Sequence, residues 1–390
     1  MFRIIKNPDF DFMRHRKVLL LVSLVVVLAS VGILLAVGLN KGIEFTGGTQ
    51  LQYKFAEKPD VGAIRQSLTD AGLSGQQVTT IGDADANEVV IRLASAGDTD
   101  ADENQAKAAL AALAKQFGVE GDGSSDLNVI DSSALAGRLA GVAGGAVQAQ
   151  ALADAILEKR TEIAIFSSFD ELGAVTGMTE AVLGVLQDDM TIGPFSQRKR
   201  SYVGPAVGRE LINKTLAAVV GSLIGMLLYI WIRFQLQWGF AAVVALTHDA
   251  LITLGLFALF KQEMSLAVVA AFLTLVGYSV NDTVVVFDRI RENLRNRGSE
   301  SVKDTINRSI NQTLSRTLIT SGLTWIVVLA LYIFGGAALR PFAFVLSVGV
   351  VVGTYSSIYV ASPFLVMWSE FLAKRRGTTA TKVPVRGNAG

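Results

Sequence analysis

Cysteine is absent from the 390 residues, so the chain can form no disulfide, no thiolate metal site and no cysteine nucleophile. Histidine is almost absent. His15 and His248 are too few for a histidine-built metal centre, and no metal is expected. Charge of one sign is missing too: 35 Lys and Arg against 34 Asp and Glu leave a net +1, with no global field to attract nucleic acid. The polar excess of a soluble enzyme is also lacking. With 51% hydrophobic residues and a mean hydropathy of +0.44, the composition suits a multi-span membrane protein with one sizeable aqueous part.

Six apolar runs are long enough to cross a bilayer, which takes about 20 residues: Val18–Leu39, Leu216–Ile232, Leu236–Phe260, Met264–Phe287, Thr317–Leu339 and Phe342–Trp368. The first follows Arg14, Arg16 and Lys17. It exceeds a signal-peptide core and lacks a small-x-small cleavage site, so it reads as an uncleaved span. Basic residues gather in 1–17, in 288–310 and in the tail 370–390 (Lys374, Arg375, Arg376, Lys382, Arg386), while the links near Lys261 and Arg340 are almost neutral. The positive-inside rule then puts both termini and the 288–310 loop in the cytoplasm, the loop's amphipathic stretch reading as a solvated inner-surface helix. Residues 40–213 are expected outside, and 214–369 hold five of the spans.

Within 40–213 the pattern predicts a strand after Gly48, a helix over Pro59–Leu73, strands at Gln77–Gly82 and Glu88–Ala94, and an alanine-rich helix over Ala101–Phe117. That β-α-β-β-α order fits a small α+β sandwich. Residues 132–156 read as a low-specificity helix or a hinge, and 159–190 as a compact helical hairpin. A helical insert is expected over about 98–196.

Three spans carry ionisable groups: His248 and Asp249 in the third, Asp282 in the fourth beside Asn281, and Arg316 at the start of the fifth. An acid within a span costs roughly 2.5–3.5 kcal/mol on insertion scales and is a functional candidate by default. By helix rise, Asp282 lies about 9 Å below the inner end, Arg316 at a comparable depth and Asp249 about 18 Å deep. Asp282 and Arg316 can pair if their helices are neighbours. Thr320 stands one turn from Arg316, and Thr313, Thr317 and Ser321 add hydroxyls. Two acids with an arginine at one end suit a proton path. Blander readings stay open: a snorkelling Arg316, Asp282 and Asn281 as interhelical hydrogen-bonding groups, and a satisfied His248–Asp249 pair. Gly42, Glu44, Gly47 and Gly48 (GIEFTGG), with Gly204, Pro205 and Gly208 (VGPAVGREL), are structural motifs that set turns and close approaches.

These motifs, with HD at 248–249, GYSVNDTVVVFDRIREN over 277–293 and SRTLITSG over 315–322, resemble the SecF family of the bacterial SecDF translocases, in the resistance-nodulation-division superfamily. Glu44 stands where that family usually has Asp, and 98–196 is longer and more helical than its compact ferredoxin-like domain. The resemblance implies a six-helix half-transporter in the bacterial cytoplasmic (inner) membrane with a ferredoxin-like extracytoplasmic domain. It implies pairing with SecD, association with the SecYEG channel, and use of a proton or sodium gradient to promote preprotein export. It implies no cofactor beyond H⁺ or Na⁺, and no enzyme activity. Asp282 and Arg316 match its ion-pathway pair and Thr320 a nearby contributor; Asp249 is added on depth alone. Two alternatives remain: half of a small-molecule or lipid exporter of the same superfamily, and an intramembrane aspartyl protease built on Asp249 and Asp282.

Overall fold

The computed structural model describes residues 8–73, 75–81, 86–119, 125–233 and 236–375. Residues 1–7 of the expected cytoplasmic N-terminus and 376–390 of the expected tail lie outside the described residues. In chain order the elements are α1 (Arg16–Val37), β1 (Asn40–Lys41), α2 (Ile43–Thr46), β2 (Gly48–Phe55) and α3 (Val61–Asp70). Next come β3 (Gln77–Ile81), β4 (Glu88–Leu93), α4 (Thr99–Gln116), α5 (Ser132–Leu139) and α6 (Ala146–Ile163). A 3₁₀ turn (Phe169–Ala174), α7 (Glu180–Asp189), β5 (Phe195–Val203), α8 (Pro205–Arg233) and α9 (Leu236–Leu259) follow. The chain then forms β6 (Glu263–Met264), α10 (Leu266–Arg295), α11 (Val302–Phe334), α12 (Gly336–Ser356), a π-turn (Ser357–Ala361) and α13 (Ser362–Arg375).

The chain divides into two compact units, one of Met1–Gly42 with Asn213–Gly390 and one of Ile43–Ile212. In the second unit β2, α3, β3, β4, α4 and β5 form an antiparallel sheet of order β3-β4-β2-β5 with two helices. This is the ferredoxin-like β-α-β-β-α-β arrangement. Alternation puts Leu51, Tyr53 and Phe55 of β2 on the buried face with Val89, Ile91 and Leu93 of β4, under Ile64 and Leu68 of α3 and Ala109 and Leu113 of α4. Helix α4 belongs to the sandwich, as the β-α-β-β-α order anticipated, although the insert was expected to begin already at about 98; its small buried residues let it lie against the sheet. The inserted part runs from Gly118 to Pro194, and β5, unrecognised in the sequence, closes the sheet. Its Arg198-Lys199-Arg200 run hid the strand, because only its first two residues are buried. Residues 132–156 form α5 and the first part of α6, separated by a turn over 140–145, with Leu135, Leu139, Leu152 and Ile156 buried in a core of their own.

Among the described residues six helical segments are long and apolar enough to cross a membrane: Arg16–Val37, Pro205–Ile230, Gln237–Leu259, Leu266–Arg295, Val302–Phe334 and Ala338–Phe371. The fold is thus a polytopic helical membrane protein with an α+β domain. The fourth and fifth spans differ from expectation. Residues 288–310 are not a separate surface helix; α10 continues to Arg295 and α11 begins at Val302. The reason is that Ile290, Asn293, Val302, Thr305, Ile306 and Ser309 are buried where these ends pack, with Asn293 Nδ2 donating to Ser309 Oγ at 2.8 Å. The N-terminal segment is tied to the same face, its Phe10 and Phe12 amides donating to Asn311 Oδ1 and Asn307 Oδ1 at 3.0 and 2.8 Å.

Candidate functional site

Asp249 and Asp282 are both buried, at 0% and 7% exposure, inside the first unit. A carboxylate there needs donors from neighbouring spans, since its own backbone amides are used by the helix. Asp249 receives three: His248 Nδ1 lies 2.9 Å from Oδ1, while Ser279 of α10 and Ser356 of α12 donate to Oδ2 at 2.5 and 2.7 Å. Gly353, one turn before Ser356, makes room: a Cβ on it would stand 3.6 Å from Asp249 Oδ2. The His248 ring stacks on Tyr355 with centroids 6.2 Å apart. Its Nε2 is buried without a partner among the described residues.

Asp282 is less heavily bonded. Its Oδ2 accepts from Ser357 at 2.8 Å. Thr317 of α11 faces it, but the Thr317 hydroxyl makes no hydrogen bond that meets distance and angle. Neighbouring residues on a helix point about 100° apart. This is how two consecutive serines of the last span serve acids on two different helices. Ser357 also opens the π-turn, a local widening that recurs at functional sites.

The expected Asp282–Arg316 pair is not formed: among the described residues no ion pair joins them, and the Arg316 side chain is exposed. Helical rotation explains it. Thr313, Thr317 and Ser321, at i, i+4 and i+8, form the buried stripe of α11. Arg316, one position before Thr317, turns away from that stripe, and Thr320 turns with it. Thr320 Oγ1 bonds the Arg316 carbonyl of its own helix at 3.0 Å. Asn281 is exposed on α10. The site thus has a buried part (His248, Asp249, Ser279, Asp282, Thr317, Ser356, Ser357) and an exposed polar part (Asn281, Arg316, Thr320). The three serines were missed because serine inside an apolar run carries no charge to flag it. The spacing of Ser279 to Asp282, one turn on the same helix, was the signal available.

The glycine motifs meet in the other unit. A Cβ on Gly47 would stand 3.4 Å from Pro205 Cα, and one on Gly208 3.4 Å from the Gly47 amide nitrogen. Pro205 occupies the first position of α8, where its missing N–H is harmless. Glu44 lies in α2 with Oε2 buried and unpartnered among the described residues. Gly42 donates its amide to Met264 O at 2.9 Å, next to the short parallel β1–β6 pair in the membrane unit. Gly204 packs on the Tyr202 ring, its Cβ position 3.3 Å from the hydroxyl.

Six membrane helices, acids buried between them and a ferredoxin-like domain between the first and second spans define a polytopic membrane protein of transporter type. Residues 186–371 match the family described as protein export membrane protein SecD/SecF, C-terminal, and residues 32–58 match the SecD/SecF GG motif. The protein translocase subunit SecF of Koribacter versatilis is 40% identical over 400 residues, covering 98% of this chain and 96% of the relative. That of Vibrio alginolyticus is 36% identical over 363 residues, covering 93% and 91%. The crystal structure of SecDF, a translocon-associated membrane protein from Thermus thermophilus, superposes with a TM-score of 0.67 at 29% identity, over 93% of this chain. This chain spans 39% of the length of that one. The chain belongs to the SecF family, and it is an integral protein of the cytoplasmic membrane.

Proposed function

We propose that the chain is an accessory subunit of a Sec-type preprotein translocase that uses the proton or sodium motive force to promote export. The observation that carries this reading is the divided site. Asp282 is buried and held by a single hydroxyl across a span boundary, and beside it Asn281, Arg316 and Thr320 present a polar face outward from α10 and α11. An arginine on an open face within a span is disfavoured against lipid. That face therefore suits a second membrane subunit, and a SecD-type half is the partner that completes it. The SecYEG channel and the translocating preprotein are the further partners of this reading. The basic links favour both termini in the cytoplasm and the Ile43–Ile212 unit outside.

Moving one charge through 100 mV supplies roughly 2.3 kcal/mol. Proton uptake at Asp282 changes what Arg316 has to balance, and the differing affinity of two packings for that proton drives the motion. A protease reading is weaker. Each acid has its own serine and no hydrogen bond joins the two carboxyls, whereas an aspartyl dyad shares one proton.

The test is export of a preprotein into vesicles under imposed pH and sodium gradients. Asp282→Asn and Arg316→Met are expected to abolish the gradient-dependent part while the chain still inserts and copurifies with its SecD-type partner. Unchanged gradient-dependent export in both variants removes the proposal.

A further inference from the structure

The two consecutive serines of the last span, Ser356 and Ser357, each have a second acceptor within reach besides the acid they hold. Ser357 Oγ lies 2.8 Å from Asp282 Oδ2 and 3.0 Å from the Thr354 carbonyl oxygen. Ser356 Oγ lies 2.7 Å from Asp249 Oδ2 and 3.1 Å from the Gly353 carbonyl oxygen. A hydroxyl carries one proton and two lone pairs, so it donates to one acceptor at a time and can accept at the same moment. The two acids differ in what else holds them. Asp249 also receives His248 and Ser279, while Ser357 is the one hydroxyl that hydrogen-bonds Asp282 with sound geometry among the described residues.

We propose that Ser357 is a positioning residue that lets Asp282 change its protonation state without moving. While the carboxylate is ionised, the Ser357 O–H donates to it. When Asp282 takes a proton from the coupling path, the new carboxyl O–H donates to Ser357 Oγ and the serine proton swings to the Thr354 carbonyl. One proton is added, one hydroxyl rotates, and the hydrogen bond between Asp282 Oδ2 and Ser357 Oγ persists in both states. The π-turn starting at Ser357 supports this role. Its amides reach back five residues rather than four, and Ser362 Oγ closes it by donating to the Ser357 carbonyl at 2.8 Å. Among the described residues the charged groups that act on Asp282 are Arg316 from α11 and Asp249 from α9. Behind Asp249 stands His248, stacked on Tyr355 of α12, while the Tyr278 hydroxyl of α10 is engaged by Ser321.

This inference rests on the reading of Asp282 as the titrating group, and the experiment separates the two. Infrared difference spectra of the full chain, with its SecD-type partner in lipid, are recorded across pH. The carboxylic C=O band that disappears in Asp282→Asn belongs to Asp282. Removing a donor to the charged form, in Ser357→Ala, is expected to move the titration of this band up by about one pH unit. Ser357→Thr is expected to restore it, and the isosteric, weakly donating Ser357→Cys to shift it part of the way. Gradient-driven export should follow with the same displacement of its pH profile. An unmoved band in both Ser357→Ala and Ser357→Cys overturns the role of Ser357. A titrating Asp282 band that moves with Ser357, alongside normal export in Asp282→Asn, instead overturns the transport reading and leaves the hydroxyl relation standing.

Discussion

A methyl group on Gly48 would stand 2.1 Å from the Leu93 carbonyl oxygen and 3.0 Å from the Ser95 amide nitrogen, with φ at +116°. Both obstacles are backbone, so neither can rotate aside. Gly48 opens β2, the strand that pairs with both β4 and β5. Gly48→Ala is therefore expected to destabilise the ferredoxin-like unit by about 3 kcal/mol or more, from strain and a broken ladder together. Gly208→Ala, whose Cβ meets its nearest atom at 3.4 Å, is expected to change stability by less than about 1 kcal/mol. Hydrogen exchange of the β2 and β4 amides in the detergent-solubilised chain distinguishes the two. Equal protection in both variants contradicts this account of the GIEFTGG glycines.

In the membrane unit α1 and α9 touch through Ser30 and Gly255. A Cβ on Gly255 would fall 2.4 Å from Ser30 Cβ and 2.7 Å from Ser30 Cα. Small residues at such a crossing let two helices approach where lipid offers no hydrophobic drive. Gly255→Ala must push the first span aside, with an expected loss of about 1–3 kcal/mol from overpacking. Ser30→Gly in the same chain should recover part of it, because the side-chain clash is removed while the backbone of α1 still crowds the new methyl. Thermal unfolding in detergent, read for the single and double variants, decides.

Much of this architecture was legible because bilayer length and charge asymmetry write themselves plainly into a chain. The five elements from β2 to α4 were legible for a similar reason: alternation in 49–55 and helical spacing in 61–73 point to one buried face each. What stayed hidden has physical causes. Strand β5 buries its first two residues and then carries Arg198, Lys199 and Arg200 outward, so its pattern is that of a loop. At the acids, composition marked Asp249 and Asp282 but not their serine partners, since a donor serine costs little inside a span. Depth estimates set Asp282 and Arg316 level, yet depth says nothing of rotation. One residue of offset from Thr317 was enough to put Arg316 on the other side of the helix wall.

Asp126, in the inserted part of the second unit, is fully buried and accepts from the Asn128 and Gly193 amides at 2.9 and 3.0 Å. Burial raises its carboxyl above the ordinary carboxylate range, more than those two amides and the nearby Arg160 lower it. Arg160, pushed down to about 10 by its own burial, donates to the Leu127 and Ile130 carbonyls at 3.0 Å. With the folded-state value raised, the folded form holds more protons than the unfolded one between the ordinary range and the raised value. Stability of this part therefore falls as pH rises through that window and is greatest on its acid side. Asp126→Asn is expected to flatten this dependence. The measurement is the opening free energy of the Leu127 and Gly193 amides by hydrogen exchange, corrected for intrinsic rate; a slope unchanged by the substitution rejects the assignment to Asp126.

The exposed polar face of α10 and α11 gives the most direct test of where a partner sits. Arg316, Thr320 and Thr324 follow one another at helical spacing, the first two exposed and Thr324 half-buried, with Asn281 exposed on the adjacent span. Because the natural chain has no cysteine, a single introduced one reports without background. Thr320→Cys keeps the size of the side chain and leaves the buried acids untouched. With a SecD-type partner carrying single cysteines along its own polar span faces, Thr320→Cys is expected to form an intersubunit disulfide under mild oxidation. Such a bond requires Cα atoms within about 7 Å. Ile224→Cys, on the exposed apolar face of α8, is expected to give none and to react with lipid-soluble maleimides instead. Cross-linking at Ile224 with silence at Thr320 would place the partner against α8 and leave Arg316 facing hydrocarbon, an arrangement the cost of an unpaired guanidinium there argues against.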